Sequence, residues 1–167
     1  MKGYVLSVER LIRASPAAIF DVLSDAAKHS LIDGSGMLQG SNEPDGDRLA
    51  LGAKFGMGMK LGISYSTVNR VVAFEPDRTI AWQTGPEGRW GQWVGGRIWR
   101  YELEPTDDGT LVRESWDITP DHQRVLLRLG DIYWNKTRRD MERTLARLDH
   151  LVAPPLPREP AEGDRPS

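Results

Sequence analysis

Between residues 53 and 118 the chain offers strand-like segments in quick succession, joined by connections shorter than the dozen or so residues a parallel crossover needs. Ala53 to Lys60, Ser64 to Phe74, Thr79 to Thr84, Gly95 to Glu104 and Leu111 to Ile118 carry the β-branched and aromatic residues. Glu75-Pro76-Asp77, Gly85-Pro86-Glu87-Gly88 and Pro105 to Gly109 supply the turns. Such a run folds as an antiparallel meander. Beyond Thr119-Pro120 the character changes: from Gln123 to Val152 the chain is strand-free. Leu126, Leu129, Tyr133, Met141, Leu145, Leu148 and Val152 recur there on one broad helical face. Helix over that span reaches about 45 Å, enough to cross a whole sheet, with Gly130 as its weak point.

Ahead of the meander, residues 4–13 read as a first strand. Ser15-Pro16 is an N-cap followed by proline at the first helical position, and Ala18, Ile19, Val22 and Leu23 continue a short helix towards Ala27. A second short helix fits His29 to Ile32. Residues 34–52 are loop-rich, with one short strand near Met37 to Gln39. The expectation is one α+β domain over residues 1–153, a curved antiparallel sheet of six to seven strands around a long C-terminal helix. Residues 154–167, rich in proline and charge, are expected to be a disordered tail.

A bent sheet does not touch a straight helix everywhere, so this arrangement leaves a cavity between them. The segments that carry it also resemble a known superfamily. They are Ser15-Pro16-Ala17-Ala18-Ile19-Phe20-Asp21-Val22-Leu23, Gly52-Ala53-Lys54-Phe55, Phe74-Glu75-Pro76-Asp77-Arg78-Thr79-Ile80-Ala81-Trp82, and Trp99-Arg100-Tyr101-Glu102-Leu103-Glu104-Pro105 followed by Gly109-Thr110-Leu111-Val112. In order and spacing they resemble the helix-grip superfamily of START, Bet v 1-like and polyketide cyclase/dehydrase-like proteins, over residues 4–152. The resemblance implies the fold and a cavity for a small hydrophobic molecule. It leaves function open, because such proteins transport lipids, bind hormones, assist chaperones or cyclise polyketides.

Strand alternation assigns the faces. Trp99, Tyr101 and Leu103 share one face, Ile80, Trp82 and Thr84 another, and Val112, Glu114, Trp116 and Ile118 a third. All three are expected to point inward. Glu114 would then be a carboxylate in an apolar cavity, neutral or paired, with Arg97 or Arg70 as available counter-charges. One residue of slip would make it a solvated strand residue instead. Met57, Met59 and Tyr65 on the sheet, and Leu126, Leu129, Tyr133 and Trp134 on the helix, complete the expected lining. Trp90 and Trp93 sit in the Gly-rich stretch Gly88 to Gly96, a candidate lid or contact edge. Core packing is the plainer role for any single aromatic.

Composition removes several classes of chemistry. There is no cysteine, so thiolate nucleophiles, disulfides and Cys-based metal sites are absent. His29, His122 and His150 have no second ligand at metal spacing and read as surface residues, so no metal or other cofactor is expected. A net charge of −2 offers no field for nucleic acid. Lys136, Arg138 and Arg139 are followed by Asp140 and Glu142, as on a solvated helix face. No window approaches the roughly 20 apolar residues of a membrane helix, and Glu9 and Arg10 interrupt any leader-like run; a cytoplasmic setting is expected. Gly56 to Gly62 looks superficially like a dinucleotide loop, but no helix comes after it; strand glycines fit better. Asn135-Lys136-Thr137 forms a sequon on a helix and is discounted.

The leading expectation is a binding module for a lipid-like or polyketide-like molecule. The alternatives are a cyclase- or aromatase-like enzyme using Glu114 with Tyr65, Tyr101, Tyr133 or Arg97 as acid/base groups, and a partner-binding module of chaperone-activator type.

Overall fold

The computed structural model describes residues 3–41, 48–61, 63–86 and 95–153. The tail after residue 153, and Trp90 and Trp93, lie outside the described residues; so do the side chains of Met57, Met59 and Tyr65.

Seven strands form one antiparallel sheet in the order β1-β7-β6-β5-β4-β3-β2. They are β1 (Val5–Ile12), β2 (Leu38–Ser41), β3 (Lys54–Leu61), β4 (Ile63–Glu75), β5 (Thr79–Pro86), β6 (Ile98–Thr106) and β7 (Gly109–Asp117). From β2 to β7 each strand pairs with its successor, as the short connections require. β1 closes the order on the far side of β7, with Val8 opposite Glu114. β4 bends at a register shift between Val71 and Ala73, the local irregularity that turns a sheet. Gly85 and Pro86, expected in a turn, extend β5 instead, and the glycines from Gly56 lie in β3 as expected.

Helix α1 (Pro16–Leu23) begins where the Ser15 hydroxyl accepts from the Ala18 amide, and it buries Ile19, Phe20, Val22 and Leu23. A 3-10 turn (Ala26–Lys28) leads into α2 (His29–Ile32). The C-terminal helical span is broken into α3 (Arg124–Leu129) and α4 (Asp131–Val152), because Gly130 adopts a non-helical ψ of 85°. That break corrects the single helical face. Met141, Leu145 and Leu148 of α4 are buried as expected, but Leu126 and Leu129 are exposed, since α3 is no longer in phase with α4.

α4 lies against β1 and β7 and is gripped by α1 and α2. The α2 end meets it backbone to backbone. A methyl group on Gly34 would stand 2.0 Å from the Asp140 carbonyl oxygen, so only glycine fits. The Gly34 amide donates to Thr144 Oγ1 at 3.0 Å, and Arg147 donates to the Asp33 carbonyl. The core between sheet and helices is one cluster, with Leu6, Ile12, Ile80, Trp116, Ile118 and Leu148 among its buried members. Each such side chain contributes about 1.5–3 kcal/mol by burial.

Candidate functional site

Alternation on the three central strands places the expected residues on the inner face. Trp82, Trp99 and Trp116 form a transverse row, Trp82 opposite Trp99 and Trp99 opposite Trp116. The next row is Ile80, Tyr101, Glu114 and Val8. Register alone thus brings the indoles together and sets a phenol beside a carboxylate. Tyr101 and Trp116 are buried, and Glu114 is only 2% exposed.

The Tyr101 hydroxyl donates to Glu114 Oε1 at 2.9 Å. Burial is the main cause that pushes the Glu114 pKa up to about 8; the Asp33 charge adds to it and the Tyr101 hydrogen bond opposes it. The acid is therefore largely protonated at neutral pH. Burial, then the charge and hydrogen bond of Glu114, hold the Tyr101 phenol well above its ordinary value. Arg97, expected as a partner, pairs instead with the fully buried Asp121 at 2.9 Å, at the end of β6 remote from the Glu114 row. Arg70 is exposed and opposes Gln83 across β4 and β5, so it does not neutralise Glu114 either.

Beside Tyr101 runs a column of rings. Trp82 stacks on Tyr101 at 5.6 Å, and His29 stacks on Trp82 at 4.9 Å. Phe55 of β3 meets both His29 and Trp82 edge-on. A second set joins Trp116 to Trp99, Tyr133 and Trp134 at 5.5–6.1 Å. Tyr133 is partly exposed but does reach the sheet, as expected.

His29 corrects the surface reading: it is only 4% exposed. Its Nε2 lies 2.8 Å from the Leu23 carbonyl, which can only accept, so the proton sits on Nε2 and Nδ1 remains an acceptor. Burial lowers its pKa and keeps the ring neutral. Asn69 is a further inner-face residue that sequence reading missed; its Oδ1 accepts from Thr84 at 2.6 Å. No apolar neighbour pattern marks either residue, because α2 is one turn long and a single Asn in β4 shows no face by itself.

Four buried polar atoms on this inner surface have no hydrogen-bond partner among the described residues: His29 Nδ1, Asn69 Nδ2, Glu114 Oε2 and Trp116 Nε1. Each costs about 1–3 kcal/mol when left unpaired. Two are fixed donors, one is an acceptor, and the neutral Glu114 carries a proton that can be donated. No group of three or more His, Cys, Asp or Glu side chains suited to a metal ion occurs among the described residues.

A curved sheet closed over by a long C-terminal helix, lined with stacked rings and a neutral acid, is a helix-grip domain with an apolar interior. The chain belongs to the family described as polyketide cyclase/dehydrase and lipid transport, whose sequence model matches residues 5–153. Among curated proteins it is 35% identical over 107 residues to an uncharacterised protein of Mycobacterium tuberculosis. That match takes in 62% of this chain and only 43% of the mycobacterial protein. Solved structures share the fold at low identity. A Nitrosomonas europaea protein superposes with a TM-score of 0.67 at 13% identity, covering 89% of this chain and 94% of that one. A Mesorhizobium loti protein gives 0.63 at 17% identity, over 89% and 96%.

Proposed function

We propose that the interior between β5–β7 and the helices binds a small hydrophobic molecule, lipid-like or polyketide-like, whose oxygen atoms meet Glu114 and Trp116. One observation carries this reading: a buried acid, tied to Tyr101 through one oxygen, has its other oxygen without a hydrogen-bond partner among the described residues. A domain built for stability alone gains nothing from such atoms, whereas a ligand carrying oxygens satisfies them. A ligand burying about 400 Å² of apolar surface gains roughly 10 kcal/mol, and association costs of about 4 kcal/mol leave affinity in the tens of micromolar. Polar anchors at Glu114 and Trp116 raise it further.

The raised pKa of Glu114 favours a second reading, a cyclase- or dehydratase-like enzyme in which this group donates a proton to a bound oxygen. Binding is the first choice because Glu114, Trp116, Asn69 and His29 offer hydrogen-bonding atoms for recognition, while the chain has no cysteine to serve as a thiolate nucleophile. The absence of cysteine suits a cytoplasmic setting, and the near-balanced charge argues against nucleic acid as partner. No helix among the described residues is long and apolar enough to cross a membrane.

Native mass spectrometry of the purified chain, before and after unfolding, tests the binding reading. A defined apolar mass released on unfolding supports it. Glu114→Gln separates the two readings: a carrier keeps its bound mass, whereas an enzyme loses turnover on a polyketide-like substrate and still binds it.

A further inference from the structure

Glu114 and Trp116 form one of two places where the inner face leaves buried polar atoms without a partner among the described residues. The other lies across the sheet at His29 and Asn69, which are 4% and 1% exposed. Asn69 sits in β4 directly between Phe55 of β3 and Thr84 of β5. Thr84 Oγ1 takes up the amide oxygen at 2.6 Å, while Nδ2 has no acceptor among the described residues. His29 stands at the same corner. Its ring meets Phe55 edge-on at 5.6 Å and stacks on Trp82 at 4.9 Å. The Leu23 carbonyl holds its Nε2, so the unpartnered position is Nδ1, an acceptor. Burial keeps the ring neutral, and Nδ1 therefore stays an acceptor at neutral pH.

The two places ask for different oxygens. Trp116 Nε1 is a donor and the protonated Glu114 offers a second, so that end suits an oxygen that only accepts, a carbonyl. At the other end His29 Nδ1 accepts and Asn69 Nδ2 donates. The oxygen that satisfies both is a hydroxyl. A carbonyl or ether oxygen there would leave the buried imidazole nitrogen unsatisfied. Between the two ends the inner face is apolar and aromatic, with Val71, Ile80, Trp82 and Trp99. Trp82 contacts both His29 and Tyr101, and Asn69 of β4 is three strands from Trp116 of β7, about 14 Å across the sheet.

From this difference, and resting on the binding reading above, we infer that His29 and Asn69 form a second polar subsite that takes a ligand hydroxyl, which donates to His29 Nδ1 and accepts from Asn69 Nδ2. The ligand class is then an elongated apolar molecule with a hydroxyl at one end and a carbonyl at the other. Its orientation is set as well: the carbonyl lies towards β7, the hydroxyl towards β4 and α2.

The test uses the full chain with methyl decanoate and methyl 10-hydroxydecanoate, esters that differ only in the terminal hydroxyl. In calorimetric titration the hydroxy ester should bind about tenfold more tightly. Nitrogen-15 NMR of the histidine rings should show His29 Nδ1 moving upfield with the hydroxy ester and staying in place with the parent. His29→Phe keeps a ring to stack on Trp82 and removes Nδ1; it should bind the two esters alike. The wild-type comparison decides the matter if that variant fails to fold. Equal affinity of wild type for both esters, with the Trp116 indole moved by each, overturns the subsite and leaves the ligand reading standing. A hydroxyl advantage that His29→Phe retains places the hydroxyl elsewhere and overturns it too. Binding of neither ester also overturns it, whereas the ligand reading falls only if polycyclic ketones leave the Trp116 indole unmoved as well.

Discussion

Tyr101 and Glu114 face each other across β6 and β7, the phenol donating to one carboxyl oxygen at 2.9 Å while the other oxygen has no partner among the described residues. The hydrogen bond draws the acid back towards its ordinary value; burial and Asp33 drive it the other way.

Removing that donor should therefore raise the Glu114 pKa further. In Tyr101→Phe, carbon-13 detected titration of the Glu114 carboxyl should show a midpoint above the wild-type one. The substitution should also cost about 1 kcal/mol of stability, measured by chemical denaturation. An unchanged midpoint would mean that the hydrogen bond does not form in solution.

The acid also makes stability depend on pH. Its folded pKa is raised above 4.5, so the folded state holds the proton more tightly than the unfolded chain. Its stabilisation is fully present below about pH 4.5 and is lost as pH rises through about 8. The loss is on the order of a few kcal/mol. His29 acts on the opposite side: its pKa is lowered, so its contribution holds above 6.5 and fades as pH falls. Thermal melting from pH 6.5 to 9 should show the wild type losing stability while Glu114→Gln stays nearly level. Parallel curves for the two proteins would remove Glu114 from this role.

The inward face of Glu114 was legible because Val112 and Trp116 on β7, and Ile118 just after it, share its alternation, and all of them are buried. Its partner was not legible, because that depends on which β6 residue stands opposite. Tyr101 does; Arg97 lies beyond the start of β6, where Asp121 takes it. Periodicity also misled at the helix, since counting through Gly130 assumed a phase that its backbone breaks. His29 was hidden because a one-turn helix has no periodicity, and only the packing of α2 over Trp82 buries it.

Gly34 gave no signal in sequence, yet it permits the close approach of the α2 end to α4. Gly34→Ala places a methyl group 2.0 Å from the Asp140 carbonyl and forces the two backbones apart. Destabilisation of about 2–4 kcal/mol is expected, read as a lower denaturation midpoint. A midpoint within experimental error of wild type would show that the contact is loose.

Asp121 links the start of α3 to the residue preceding β6, accepting from the Gln123 amide at 2.7 Å and pairing with Arg97 at 2.9 Å. Asp121→Ala leaves Arg97 without its counter-charge and should cost about 3 kcal/mol or more. Hydrogen exchange should quicken selectively over residues 123–129. Uniform quickening across the sheet would instead mark a global loss.

The most direct test of a ligand-binding interior watches the Trp116 indole N–H, a buried donor without a partner among the described residues. Nitrogen-15 NMR of the tryptophan indoles would be recorded while fatty acids and polycyclic aromatic hydroxyketones are added in turn. At least one compound should move the Trp116 resonance downfield, saturate it at micromolar concentrations, and shift the Trp82 and Trp99 resonances with it. If no compound in either class moves these three indoles, the interior is a closed core and the ligand-binding account is contradicted.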